Sequence, residues 1–271
     1  SILAERAIPH AEHFARIFRS SIILLQILDP TSYHENPKPV DPLSWQIRKT
    51  EADLYMNRIA ARLRENLSEN PTGTKVILNR NRDEKKIHVE YAIREGKTAE
   101  NIVNFAHAED IDLLIISTHG SGGLSRWNIS SVTQKVITLI CLPVLIVRAY
   151  NQPEMGYTKI RYRNILLPID SSRRAECSLS AGIALASGEM LMELATEANN
   201  LSPHLTTPAT SSIQTKIILA AVIKPPEIPI PEPYSLAIEQ LSEQLMQVSR
   251  QAVSNYLNEM QERLPVECET R

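Results

Sequence analysis

The chain has 271 residues, 43% of them hydrophobic, which is enough for two domains of ordinary size, each with its own core. Its 29 Lys and Arg nearly balance its 31 Asp and Glu, and the net charge of -2 offers no broad positive field to hold nucleic acid or an anionic membrane. The three scattered cysteines, Cys141, Cys177 and Cys268, argue against a disulfide framework and against CxxC metal chemistry, and no apolar run approaches the ~20 residues of a membrane helix, so the chain reads as a cytoplasmic protein.

Taken in chain order, short β-branched or leucine runs alternate with helical patterns. The first helix carries His10, Glu12 and His13; their spacing permits a weak metal site, but a solvated helix face is the plainer reading. Residues 21–28 read as a strand, followed by a crossover helix over 42–66 with Asp41 as N-cap and Pro42 at its first position. Trp45, Ala52, Tyr55, Ile59 and Leu63 fall on one face of that helix. Strands follow at 87–93, 113–117 and 144–147, with helices at 98–108 (Ile102, Phe105, Ala106 inward) and 130–140 (Val132, Val136, Leu139, Ile140 inward). Strands each followed by a helix predict a parallel sheet, with any ligand beyond the carboxyl ends of its strands.

The chain also repeats. Ser1, Ala4 and Glu5 recur as Ser172, Ala175 and Glu176; Ile22, Ile23, Leu24 and Pro30 as Ile217, Ile218, Leu219 and Pro225; Tyr55, Asn57, Arg62 and Leu63 as Tyr256, Asn258, Arg263 and Leu264. The spacing between copies grows along the chain, which places an insertion at 198–214, rich in Ser, Thr, Pro and Asn and expected to be a loop. The organisation expected is a first domain over 1–150 lacking its first strand, a linker over 151–163, and a second domain over 164–271. That second domain is expected to hold only an N-terminal half, ending after its long helix. Either the sequence is part of a longer chain or the strand at 164–169 fills the vacant place in the first domain.

Of the eight glycines, three are Gly120, Gly122 and Gly123, between the strand ending at Ser117 and the helix opening at Ser130. A glycine turn running into a helix N-terminus lets backbone N–H groups face phosphate oxygens, and the hydroxyls of Ser130 and Ser131 can add donors. The alternative is a plain tight turn with Ser130 as an N-cap.

The stretch from Ser117 through Thr118, His119, Gly120, Ser121, Gly122 and Gly123 to Ser130, Ser131 and Val132, ending in Leu142, Pro143 and Val144–Val147, resembles the universal stress protein family. So do Asp41 to Trp45, the acidic Glu109 to Asp112, and Asn164 to Ser172. Nucleotide-binding members carry Gly, two residues, Gly, nine residues, Gly, then Ser or Thr; here Gly120 and Ser131 match, and Ser117 and Ser130 stand where glycines are usual. The resemblance implies an α/β, Rossmann-like fold of the adenine nucleotide alpha hydrolase type: a doubly wound parallel sheet in strand order 3-2-1-4-5, here a tandem repeat with its second unit truncated. It implies a nucleotide-binding, non-enzymatic stress-response module that takes ATP, with Mg2+ accompanying it, at Ser117, Thr118, His119, Gly120, Ser121, Gly123, Ser130, Ser131 and Val132. By motif Pro168 and Asp170 would stand on the base and ribose side, although Asp170 also reads as a helix N-cap before Arg173 and Arg174. A homodimer through Val144–Val147 is implied as well. His119 invites a catalytic reading, but no carboxylate in the local motif orients it, and a loop-packing histidine is preferred. Two other functions stay open. One is a degenerate member that binds no nucleotide and serves as an interaction module, since Ser130 puts a Cβ where backbone would meet phosphate. The other is an ATP hydrolase, for which a general base and a metal-holding carboxylate should converge on the loop.

Overall fold

Parallel pairing of short apolar strands organises the chain. The computed structural model describes residues 2–30, 41–68, 87–118, 129–148, 160–200, 215–225 and 236–271. It divides into two units, Ser1–Ile160 and Arg161–Arg271.

The first unit runs α1 (Ile2–Glu5), α2 (Ile8–Phe18), β1 (Ile22–Leu28), α3 (Pro42–Ser68), β2 (Val89–Glu95), α4 (Thr98–Ala108), β3 (Leu114–Ser117), α5 (Ser131–Leu139) and β4 (Val144–Val147). β1 pairs with β2 and β3 with β4, both parallel, as two separate two-stranded sheets. Among the described residues no strand lies between them, and the pairs have the neighbours expected of strands 3-2 and 4-5 in the order implied by the resemblance.

Local chemistry accounts for the helix ends. The Asp41 carboxylate accepts the Ser44 N–H at 3.0 Å, and Pro42 sits in the first turn, where no intrahelical donor is lost. Gly96, at φ +119°, turns the chain from β2 into α4, and its N–H still bonds Leu28 O at 2.9 Å. Ile22, Leu24, Val89 and Tyr91 share one sheet face with Ile8 and Ala15 of α2 and with Ile59, Ala60 and Leu63 of α3. Alternation sends Arg94 to the other face, where its guanidinium lies 5.1 Å over the Phe105 ring of α4. α4 thus covers the face opposite α3 and touches both β1 and α5. Lys135 of α5 bonds Glu100 of α4 at 3.2 Å, which holds the Glu100 carboxyl below its usual range.

Burial differs from expectation on α5 and on α2. Leu139 is exposed while Thr133 is buried, because the face of α5 turned to the sheet is set by Thr133 and Val136 and Leu139 falls beside it. His13 is also buried rather than solvated, 5% exposed on the inner side of α2, and burial together with His13 lowers the pKa of His10. Among the described residues no group of His, Cys, Asp or Glu is placed to hold a metal ion.

The second unit runs β5 (Asn164–Pro168), α6 (Arg173–Asn200), β6 (Lys216–Ala220), α7 (Leu236–Arg263) and β7 (Cys268–Thr270), with sheet order β5-β6-β7, all parallel. β5 pairs with β6. The expectation that this copy ends after its long helix is corrected: Cys268 stands opposite Ile217 as Val89 stands opposite Ile22, so the chain enters a third strand. Of the stretch 198–214, residues 198–200 belong to α6 and not to a loop; 201–214 lie outside the described residues. The end of the expected linker is bound into this unit, Tyr162 N–H to the buried Glu189 carboxylate at 3.0 Å and Lys216 N–H to Arg163 O at 2.9 Å.

Successive right-handed crossovers in one direction place α6 and α7 on the same face. There Leu179, Ile183, Ala186, Val253, Leu257 and Met260 pack on Ile165, Leu167, Ile217 and Leu219. On the opposite face Leu166 is 60% exposed, and Val222, just past β6, is 89% exposed; among the described residues no helix packs there.

Candidate functional site

The turn between β3 and α5 is assembled from its two described ends. Pairing of β3 with β4 continues one residue past the strand, with Thr118 N–H on Val147 O at 2.8 Å. Thr118 O in turn accepts the N–H of Ser130 at 2.9 Å, so the chain returns to its point of departure before entering α5. Ser130 has extended backbone, φ -60° and ψ 150°, and its Oγ accepts the Thr133 N–H at 3.1 Å. Its carbonyl takes the Gln134 N–H at 2.9 Å. Helix geometry leaves the N–H groups of Ser131 and Val132 without an intrahelical acceptor, at the positive end of the helix and at the carboxyl edge of a parallel sheet.

Ser117, Thr118, Ser130, Ser131 and Val132 are thus brought together, Ser117 and Thr118 buried and Ser131 exposed. His119, Gly120, Ser121 and Gly123 lie outside the described residues. The expectation that Ser130 adds a hydroxyl donor for an anion is corrected: that hydroxyl faces the helix, 2.9 Å from Thr133 Oγ1, and caps it.

Thr133 is the residue that sequence reasoning missed. Its Oγ1 donates to Ser117 O at 3.1 Å. The serine three residues before it, a helix N-cap residue, was the available signal.

Pro168 and Asp170 belong to the second unit, at the carboxyl end of β5. Asp170 is not the helix cap. Its Oδ1 accepts the Ser172 N–H at 3.0 Å across Ser171, which has φ 65°, and the hydrogen bonds from Ser172 hold its carboxyl below the usual range. The cap is Ser172, whose Oγ accepts the Ala175 N–H at 3.1 Å.

Two further polar clusters recur or stand at sheet edges. Tyr55 Oη donates to Glu5 at 2.9 Å in the first unit, and Tyr256 Oη donates to Glu176 at 2.8 Å in the second. Burial and then the carboxylate raise each phenol to about 12. At the carboxyl end of β2, Glu95 accepts from Trp45 Nε1 at 2.9 Å and pairs with Lys49 at 2.5 Å.

A parallel α/β chain with a strand–turn–helix at its carboxyl edge defines the class of protein. The sequence model of the universal stress protein family matches residues 1–148, and the chain belongs to that family. It is similar to universal stress protein MJ0577 of Methanocaldococcus jannaschii, 26% identical over 148 residues, covering 55% of this chain and 89% of that protein. Universal stress protein MJ0531 of the same organism is 41% identical over 63 residues, 23% of this chain and 36% of that one. A solved universal stress protein from Archaeoglobus fulgidus shares the fold, with a TM-score of 0.52 at 11% identity, over 98% of this chain and 72% of that one. Among the described residues no helix is long and apolar enough to cross a membrane.

Proposed function

We propose that the first unit binds an adenine nucleotide such as ATP at the turn between β3 and α5 and acts as a non-enzymatic regulatory module. The observation that carries this reading is the pair of amides at Ser131 and Val132, which helix geometry leaves without an intrahelical acceptor at the start of α5 while Ser130 is held against Thr118 O. Membership of the family and the pattern Gly120 to Ser131 support it. Ser131 is the exposed hydroxyl at that helix start and is the side chain offered to phosphate. Mg2+ would accompany the nucleotide, held mainly by phosphate oxygens.

The ligand acts by preferring one of two surface states, and the surface it alters is a homodimer through β4, which pairs only with β3 among the described residues. The two units are read as copies of one repeat, supported by the matching registers and by the Tyr55–Glu5 and Tyr256–Glu176 contacts.

Equilibrium titration of the whole chain with a fluorescent ATP analogue tests the proposal. Binding should be saturable, and Ser131→Ala should weaken it about ten- to a hundredfold, the worth of one hydrogen bond to a charged group, without moving the melting temperature. The second reading is an interaction module without nucleotide, favoured by the commitment of Ser130 to its cap. A wild-type chain that does not bind the analogue decides for it.

A further inference from the structure

We infer that Thr133 is a positioning residue, locking the first turn of α5 onto the end of β3 and so aiming the amides of Ser131 and Val132; the inference rests on the nucleotide reading above. A threonine hydroxyl has one proton. Thr133 Oγ1 gives it to Ser117 O at 3.1 Å, a carbonyl that can only accept. The 2.9 Å contact between Thr133 Oγ1 and Ser130 Oγ therefore carries the serine proton toward Thr133, while Ser130 Oγ accepts the Thr133 N–H at 3.1 Å. Donors and acceptors close into one network whose central side chain is 2% exposed. With Ser130 N–H on Thr118 O, both ends of the intervening stretch are fastened within a single turn of helix.

The arrangement also gives the serine at position 130 a use. A glycine there would leave Thr133 N–H without its cap and Thr133 Oγ1 without its second partner. Valine at 133 has nearly the shape of threonine but forces the Ser130 hydroxyl and the Ser117 carbonyl to give up that partner inside the protein. Serine at 133 keeps the oxygen and loses one methyl.

The test uses the full chain and three probes: the fluorescent ATP analogue, inorganic triphosphate as the phosphate part alone, and adenosine as the base and ribose alone. Thr133→Val should weaken the analogue and triphosphate about tenfold while adenosine binding stays within about twofold, and Thr133→Ser should bind all three as the wild type does. Unchanged triphosphate affinity in Thr133→Val, or an equal loss for adenosine, overturns the inference. Amide hydrogen exchange judges the lock without any ligand: the Ser130 and Thr133 amides should exchange roughly tenfold faster in Thr133→Val and not in Thr133→Ser. If Thr133→Val does not fold, Ser130→Ala opens the same network from its other side and is read the same way. A wild-type chain that binds no nucleotide sinks the proposed function, while unaltered exchange in both variants sinks the lock.

Discussion

A buried phenol beside a carboxylate is harder to ionise, and three tyrosines report this, two of them by donating to the carboxylate. Tyr55 and Tyr256 face Glu5 and Glu176, Tyr162 lies near Glu189, and burial followed by the carboxylate raises each to about 12. Because the folded values exceed the ordinary value near 10, the stabilisation is fully present below about pH 10 and is lost as pH climbs through 12. Absorbance titration of tyrosinate should therefore show a late component above pH 11, reduced in Tyr55→Phe and in Tyr256→Phe, with thermal stability falling over the same window. At this scale the sequence is unevenly legible. Asp41 was legible as a cap because its role needs only its neighbours. Thr133 was not, since its burial depends on a carbonyl of β3 that only the fold brings near. Ser172 rather than Asp170 caps α6 because Ser171 takes a left-handed conformation, which no composition signals.

Among elements, helix spacing is the test of what small residues do. Gly182 lies in α6 over β5, and a Cβ there would stand 2.6 Å from Leu167 Cδ1 and 3.3 Å from its Cγ. Alanine in place of helical glycine ordinarily adds about 1 kcal/mol of stability. Here Leu167 is buried among Ala186, Ile217 and Leu219 and has little room to withdraw, so overpacking reverses the sign. Gly182→Ala should lower stability by about 1–2 kcal/mol in denaturant titration, and an increase would contradict the close approach of α6 to β5. The long helices and the parallel strands of the first unit were legible because their apolar periods run through many residues. β7 was not, because Cys-Glu-Thr has no apolar run and becomes a strand only through the register offered by β6. The continuation of α6 through residues 198–200 was hidden by polar composition that suits a loop equally well.

At the scale of the whole molecule, the face of the second sheet that no described helix covers is the largest departure from what a parallel sheet requires, since such sheets are covered on both sides. In the first unit α4 performs that covering; in the second, Leu166 and Val222 stand uncovered. The chain should accordingly bind an apolar dye and self-associate at high concentration, and the double variant Leu166→Lys with Val222→Lys should diminish both without lowering the melting temperature. The two ladders of the first unit carry a different consequence. They share no backbone hydrogen bond among the described residues, and α4 reaches from β2 to α5 through Phe105, Arg94 and the Glu100–Lys135 pair. Among the described residues, tension at one ladder reaches the other only along the chain through α4 and through the side chains packed on it, so a mechanical load on this unit should part it along α4, the seam, before either ladder unzips.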